Sequence, residues 1–319
     1  MYISSASGLI AAGSVKEAHP LLQVGSIPVI KRLVLSFQQA GLFPIVVITG
    51  AESLEVRYQL AEYGVVFIPN ERPETTELFE SVKIGLRYLQ GKSNRVFFSP
   101  VNVPMVSPET LAALDAADGD VITPSYHGHG GHPVAIADRV IPEILSYDGN
   151  EGLRGAVRTF GDRRVWVPVK DEGVLMSIHD KTLLQEHLPE HHRQLLHPHV
   201  EVSIGREHPF FNARLKLLLF LLSDTGNMRK ACQSMALSVG KGWSMINDLE
   251  CETGYPVVER RQGGRSGGTT RLTEQGRIFL LASQRYEEEV LCFARGRFRN
   301  LFLDSGIFTQ VLPTNHLPL

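Results

Sequence analysis

Five apolar runs of strand length, separated by helical patterns, restrict this chain more than any other feature of its first 170 residues. They are IVVITG (45–50), VVFIP (65–69), RVFFSPV (95–101), DVITPSY (120–126) and VWVPV (165–169). Between them, stretches such as AESLEVRYQLAEYG and TTELFESVKIGLRYLQ repeat their apolar residues at helical spacing. Continuous apolar runs suit strands buried on both faces, so the alternation predicts an α/β fold with a mostly parallel sheet covered by helices. The opening MYISSASGLIAAG lacks the charged start of a leader peptide and reads as one more buried strand entering a glycine turn. Ligands of such sheets bind beyond the carboxyl ends of the strands, which is where Ala12, Gly13, Thr49, Gly50, Asn70 and Asn102 fall.

A chain of 319 residues accommodates two domains, and its charge is divided between them. Residues 1–204 carry 17 Lys and Arg against 23 Asp and Glu, whereas residues 205–302 carry 15 against 10. An acidic front and a basic back predict separate tasks, with the back facing a polyanion. Cys232, Cys251 and Cys292 are odd in number and form no CxxC pair, which points to a reduced, cytoplasmic compartment. The longest apolar run, LKLLLFLL at 215–222, is far short of a membrane span.

HLPEHHRQLLHPHV (187–200) is rich in His and Pro without clear periodicity and is taken as the domain joint. A solvated linker is the reading preferred to a metal tract, because its five histidines match no closed site. Beyond it, FNARLKLLLFLL, NMRKACQSMA and SVGKGWSMINDLE read as three helices. Ser238 is the expected N-cap of the third, with Val239, Trp243, Ile246 and Leu249 on its packing face. The opposite face offers Lys241, Ser244, Asn247 and Asp248 to solvent or to a groove, an arrangement of helix-turn-helix type. YPVVERRQGGRSGGTTRLTEQG then predicts a hairpin whose Arg260, Arg261, Arg265 and Arg271 reach phosphates. Its glycine run lacks the GK[ST] ending of a phosphate-cradling loop. Thr273 should cap a long helix with a dimer seam; a plain helical bundle is the alternative.

In order, SVGKGWSMINDLE, VVERRQGGRSGG and RLTEQG resemble the winged helix-turn-helix of bacterial molybdate-responsive regulators, relatives of the LysR type. The resemblance covers roughly 208–300 and implies a homodimer that inserts the helix starting at Ser238 into the major groove of double-stranded DNA. The family's molybdate-binding module has no counterpart here.

The front half resembles molybdenum-cofactor nucleotidyltransferases, through GLIAAGS, PLLQVGSIPVI, IVVITG, SVKIGL, FFSPVNVP and GGHPVAI in that order. GLRGAVRTF (152–160) points to the cytidylyltransferase-like branch. This resemblance implies a Rossmann-like three-layer fold that transfers a nucleotidyl group to molybdopterin with magnesium. Its charged residues are depleted here. The triphosphate loop is reduced to SVKEAH, with no Arg, Lys16 as the one cation and His19 at the Lys position. Asn102 occupies the place of a magnesium-binding Asp, and Ser177-Ile178-His179 that of an Asp-Ile-Asp segment. Ala12, Gly13, Asn70, Ser81, Lys83, Gly131, His132 and Arg154 match the pattern and could keep a nucleotide or pterin pocket, though Gly13 and Gly131 could equally serve turns. His127, His129 and His132 admit a zinc reading that the glycine loop disfavours.

The expectation is therefore a nucleotidyltransferase-like domain at 1–190, a linker at 191–207, a mostly α winged helix-turn-helix domain at 208–302 and a tail at 303–319. Such a chain would be a DNA-binding transcriptional regulator with a degenerate, ligand-sensing transferase domain. The alternative is a working cofactor nucleotidyltransferase using CTP or GTP, fused to a regulatory module.

Overall fold

The computed structural model describes residues 4–13, 19–50, 53–72, 77–261, 268–305 and 307. The expected loop 14–18 with Lys16, and the hairpin tip with Arg265, lie outside them. The chain divides into two compact units that meet after Leu196.

The first unit runs β1 (Ser4–Ala12), β2 (Gln23–Val24), β3 (Ile27–Pro28), α1 (Val29–Gln39), β4 (Ile45–Thr49), α2 (Ser53–Leu60), β5 (Val66–Pro69) and α3 (Leu78–Leu89). It continues with β6 (Ser93–Pro100), α4 (Pro108–Ala116), β7 (Val121–Tyr126), β8 (His129–Gly130), β9 (Val134–Ala137), α5 (Ile141–Ser146), α6 (Gly152–Arg158), β10 (Arg164–Pro168) and α7 (Lys181–Gln194). The main sheet has the order β10-β7-β9-β6-β1-β4-β5, with β8 paired to β7. All five expected apolar runs are strands in it, and every residue of β4 is buried, as a strand covered on both faces requires. The sheet is more mixed than the sequence suggests: β9 runs antiparallel to β6 and to β7. Gly85 lets α3 lie close on the sheet, since a Cβ there would come within 2.1 Å of a methyl of Leu9.

The segment read as a solvated linker begins as helix, over 187–194, and carries no regular structure from 196 to 203. Asp180 caps α7 by accepting from Leu183 N, and the helix continues through Pro189 to Gln194. What fixes it is His191, 3% exposed and bonded to Arg32 of α1 and to the Val106 carbonyl. A buried side-chain bond outweighs the polar composition that made this segment look unstructured.

The second unit contains β11 (Ile204–Gly205), β12 (Pro209–Phe211), α8 (Ala213–Thr225), α9 (Met228–Ser234), α10 (Val239–Thr253), β13 (Val258–Arg261), β14 (Thr269–Leu272), α11 (Glu274–Phe298) and a π-helical turn (Arg299–Leu303). Asn212, Asn227, Ser238 and Thr273 cap α8, α9, α10 and α11 with their side chains. Leu217, Leu218, Leu221 and Leu222 of α8 form the middle of the core. Lys216 pairs with Glu287, and Phe211 meets Phe279 edge-on at 5.0 Å, fastening α11 to α8 and β12. Among the described residues no helix is long and apolar enough to cross a membrane. Cys232, Cys251 and Cys292 are free thiols.

Candidate functional site

Parallel pairing brings Ala12, Thr49 and Pro69 level at the carboxyl edge of the first unit's sheet. Gly13 and Gly50 follow, and their backbones nearly touch: a Cβ on Gly50 would sit 2.6 Å from Gly13 O. Asn70 N donates to Thr49 O at 2.8 Å, and the Asn70 amide spans from Ser81 Oγ at 3.1 Å to Arg72 N at 3.0 Å. Gly13, Asn70 and Ser81 thus gather on one side of the β1 end, as the sequence suggests.

The other side gathers the altered positions. Ile178 N donates to the main-chain oxygen of Asn102 at 2.9 Å, so the two segments matched to magnesium ligands do meet. His132 N donates to Val174 O at 2.9 Å beside them, and Gly131 is required there because a Cβ would lie 2.4 Å from that same oxygen. Burial pushes the His132 imidazole down to about 4, against the hydrogen bond it donates to the Phe98 backbone, so the ring is neutral near pH 7. Among the described residues, Asn102 Oδ1, Thr49 Oγ1 and His132 Nδ1 are all buried without a hydrogen-bond partner.

Four expected site residues stand elsewhere or are differently engaged. Lys83 is nearly buried, donates to Tyr147 O at 2.8 Å, pairs with Glu80 at 3.3 Å and lies over the Phe79 ring. Its ammonium thus has protein partners on three sides. Arg154 is exposed on α6, where with Arg158 it adds to the burial that lowers the pKa of Arg164 on edge strand β10. His179 is exposed, and its backbone N donates to Ser177 Oγ at 3.4 Å. His19 is exposed.

This order of strands, with a crevice where β4 and β6 flank β1, invites comparison with nucleotide-handling proteins. Residues 13–167 match the MobA-like NTP transferase domain. A nucleotidyl transferase from Methanothermobacter aligns with this chain at a TM-score of 0.51 and 21% identity, over 58% of this chain and 98% of its own. The Mycobacterium sp. strain JC1 homologue of M. tuberculosis Rv0371c aligns at 0.50 and 15% identity, over 60% and 99%. At such identities the likeness establishes the fold of the MobA-like domain. No curated protein sequence matches the chain.

The residues do not fit the magnesium ion that the resemblance implies. Magnesium takes oxygen ligands with one or two carboxylates, whereas the matched positions here hold an amide, a hydroxyl and an imidazole. Among the described residues no group of three or more His, Cys, Asp or Glu is placed to hold a metal.

In the second unit, α10 presents Lys241, Ser244, Asn247 and Asp248 to solvent while Gly242, Ile246 and Leu249 are buried. Val239, expected on the packing face, is 37% exposed at the first turn. Ser238 Oγ accepts from Lys241 N at 3.3 Å and so serves the helix end. The hairpin β13–β14 is bound to α10 by Glu250, whose Oε1 accepts from Val257 N at 2.8 Å and Val258 N at 3.0 Å. Arg260, expected to reach phosphate, is engaged through one end of its guanidinium. Its guanidinium lies 4.6 Å over Trp243 and donates to Asn247 Oδ1 at 2.7 Å and Glu250 Oε2 at 2.9 Å. Arg261 and Arg271 are exposed; Glu259 opposes Arg271 across the hairpin, placing them on the face away from Arg260. A cleft of about 470 Å³ separates α10 from the β11–β12 hairpin, bordered by His208, Lys241, Asp248 and Glu252.

Proposed function

We propose that the chain is a DNA-binding transcriptional regulator whose MobA-like domain senses a small ligand instead of transferring nucleotides. The observation that carries the reading is the brace between α10 and the β13–β14 hairpin, which fixes a polar helix face beside a strand pair bearing Arg261 and Arg271. A solvated bundle has no need of a hairpin held at one angle to one helix. In this reading Lys241, Ser244 and Asn247 enter the major groove, Ser238 orients the helix end, and Arg261, Arg265 and Arg271 follow the flanking phosphates as a wing. The apolar side chains exposed on α11, Ile278, Leu281, Tyr286 and Phe293, favour a homodimer. The neutral crevice around Asn102 and His132 suits a nucleotide or pterin held without magnesium, and the link to molybdenum cofactor metabolism rests on the resemblance.

The test is binding of the full chain to genomic fragments and to random DNA over a salt series. A specific complex should weaken steeply with salt as phosphate contacts release counterions. Equal affinity for genomic and random DNA would overturn the reading.

The match of residues 13–167 supports a second reading, a working nucleotidyltransferase that regulates its own gene. Turnover of molybdopterin with CTP or GTP, assayed with and without magnesium, would establish it.

A further inference from the structure

Asn247 is exposed on α10, and the group that takes its side-chain oxygen is an arginine. A guanidinium only donates, so the atom 2.7 Å from Arg260 Nη2 is the carbonyl Oδ1 and the amide nitrogen is the end left outward. Among the described residues Nδ2 has no partner. Arg260 cannot easily release Oδ1, because the same guanidinium is seated on the Trp243 ring and paired with Glu250 Oε2. Glu250 is itself anchored by two backbone amides of the hairpin. The chain therefore offers Asn247 with its amide donor free and one of the two lone pairs of Oδ1 held by a guanidinium.

An asparagine with both ends free favours adenine, accepting from N6 while donating to N7. With one lone pair of Oδ1 held by Arg260, that second contact is weakened, because adenine N6 must share the oxygen with a fixed guanidinium. We infer that Asn247 is a specificity-determining residue that reads an acceptor edge of the major groove, guanine N7 and O6 before all others, and that Arg260 enforces this choice as a positioning residue. Thymine, with O4 alone, ranks next; adenine would have to share Oδ1 with Arg260 to pair its N6 amine, and cytosine, which shows only an amine, ranks last. This rests on the DNA-binding reading above and adds to it which base is read and why.

Selection of double-stranded sequences from a random library by the full-length protein tests it, using wild type, Asn247→Ala, Arg260→Ala and Arg260→Lys. Wild type should select guanine at one position of each half-site, preferred over cytosine by about fivefold or more. Asn247→Ala should erase that preference without changing the slope of affinity against salt. Arg260→Ala and Arg260→Lys should both move the preference toward adenine, because each frees Oδ1, and Lys does so with the charge retained. If Arg260→Ala instead weakens every sequence alike and lowers the salt slope by about 1, Arg260 is a phosphate ligand and the inference is overturned. An unchanged selected sequence in Asn247→Ala overturns it while leaving the regulator reading intact. If wild type selects no sequence at all, the regulator reading fails first. Melting curves of each variant alongside wild type show that the fold is retained, since both side chains lie at the surface.

Discussion

Arg32 of α1 and His191 of α7 bury a cation against a neutral imidazole: Arg32 Nη1 lies 3.1 Å from His191 Nδ1. His191 Nε2 is 3.2 Å from the Val106 carbonyl and must carry the proton, which leaves Nδ1 as the acceptor for the guanidinium. Arg32 also donates to Val24 O at 2.7 Å, and burial lowers its pKa to about 10, so it stays charged near neutrality. Burial first, then the charge of Arg32, pushes His191 from 6.5 down to about 4; His192 adds to this, while the Val106 carbonyl and Asp171 oppose it.

The first prediction follows from that shift. A histidine whose folded pKa is depressed binds fewer protons than the unfolded chain, so stability is fully present above about 6.5 and is lost as pH falls toward about 4. The slope is about 1.4 kcal/mol per pH unit for one site, roughly 3 kcal/mol across the window. Urea melts between pH 7 and 4 should show this loss. His191→Gln, which can still accept from Arg32 and does not titrate, should remove its share of the loss and leave that of His132, which burial depresses to the same value.

The second prediction concerns Asn102. Its Oδ1 is buried without a partner, and an orphaned buried acceptor costs roughly 1–3 kcal/mol. Asn102→Leu, similar in size and without the acceptor, should leave the ligand-free protein as stable as wild type or about 1 kcal/mol more stable, which reverses the usual sign for a core-edge substitution. Asp placed together at Asn102, Ser177 and His179 should create magnesium binding, read by calorimetry, where the wild type gives no heat.

The sheet is legible in the sequence because strands buried on both faces must be apolar at successive positions, and IVVIT and VFIP leave no helical alternative. β9 is not legible in the same way. Val134–Ala137 is short, and only its insertion between β6 and β7 makes it a strand. The meeting of Asn102 with Ile178 is foreshadowed by motif order, since both segments follow strands that end at one sheet edge. The fates of Lys83 and Arg260 are not foreshadowed. Each is a choice among cationic partners made by packing, Lys83 by the Tyr147 carbonyl and Arg260 by Trp243 and Asn247. His191 misleads for a related reason: one buried imidazole decides the course of a segment whose composition is otherwise that of a solvated loop.

The third prediction addresses the brace. Glu250→Ala strips the acceptor from Val257 N and Val258 N and the counter-charge from Arg260, and should destabilise the second unit by about 2–3 kcal/mol. Glu250→Gln keeps one oxygen for the backbone amides and should cost about 1 kcal/mol. Trp243 fluorescence should report the change, because the guanidinium seated on that ring loses its counter-charge in both variants.

The last prediction turns on α11. Leu280, Ser283 and Gln284 are buried toward the unit's core and Glu287 pairs with Lys216, which defines the inner side of the helix. At 100° per residue, Ile278, Leu281, Tyr286 and Phe293 fall on the opposite side. They are 58%, 43%, 53% and 71% exposed, a concentration of apolar area that a lone soluble unit rarely carries on one helix. A second copy of the same helix satisfies it with a self-complementary surface. Wild type should sediment as a dimer, and Ile278→Glu with Phe293→Glu should convert it to a monomer with an unchanged helical circular dichroism signal, since neither side chain contributes to the core. The same variant should bind a palindromic DNA site at least about tenfold more weakly than wild type, because the two half-sites no longer share one linked protein. A wild type that sediments as a monomer at micromolar concentration would refute the α11 seam.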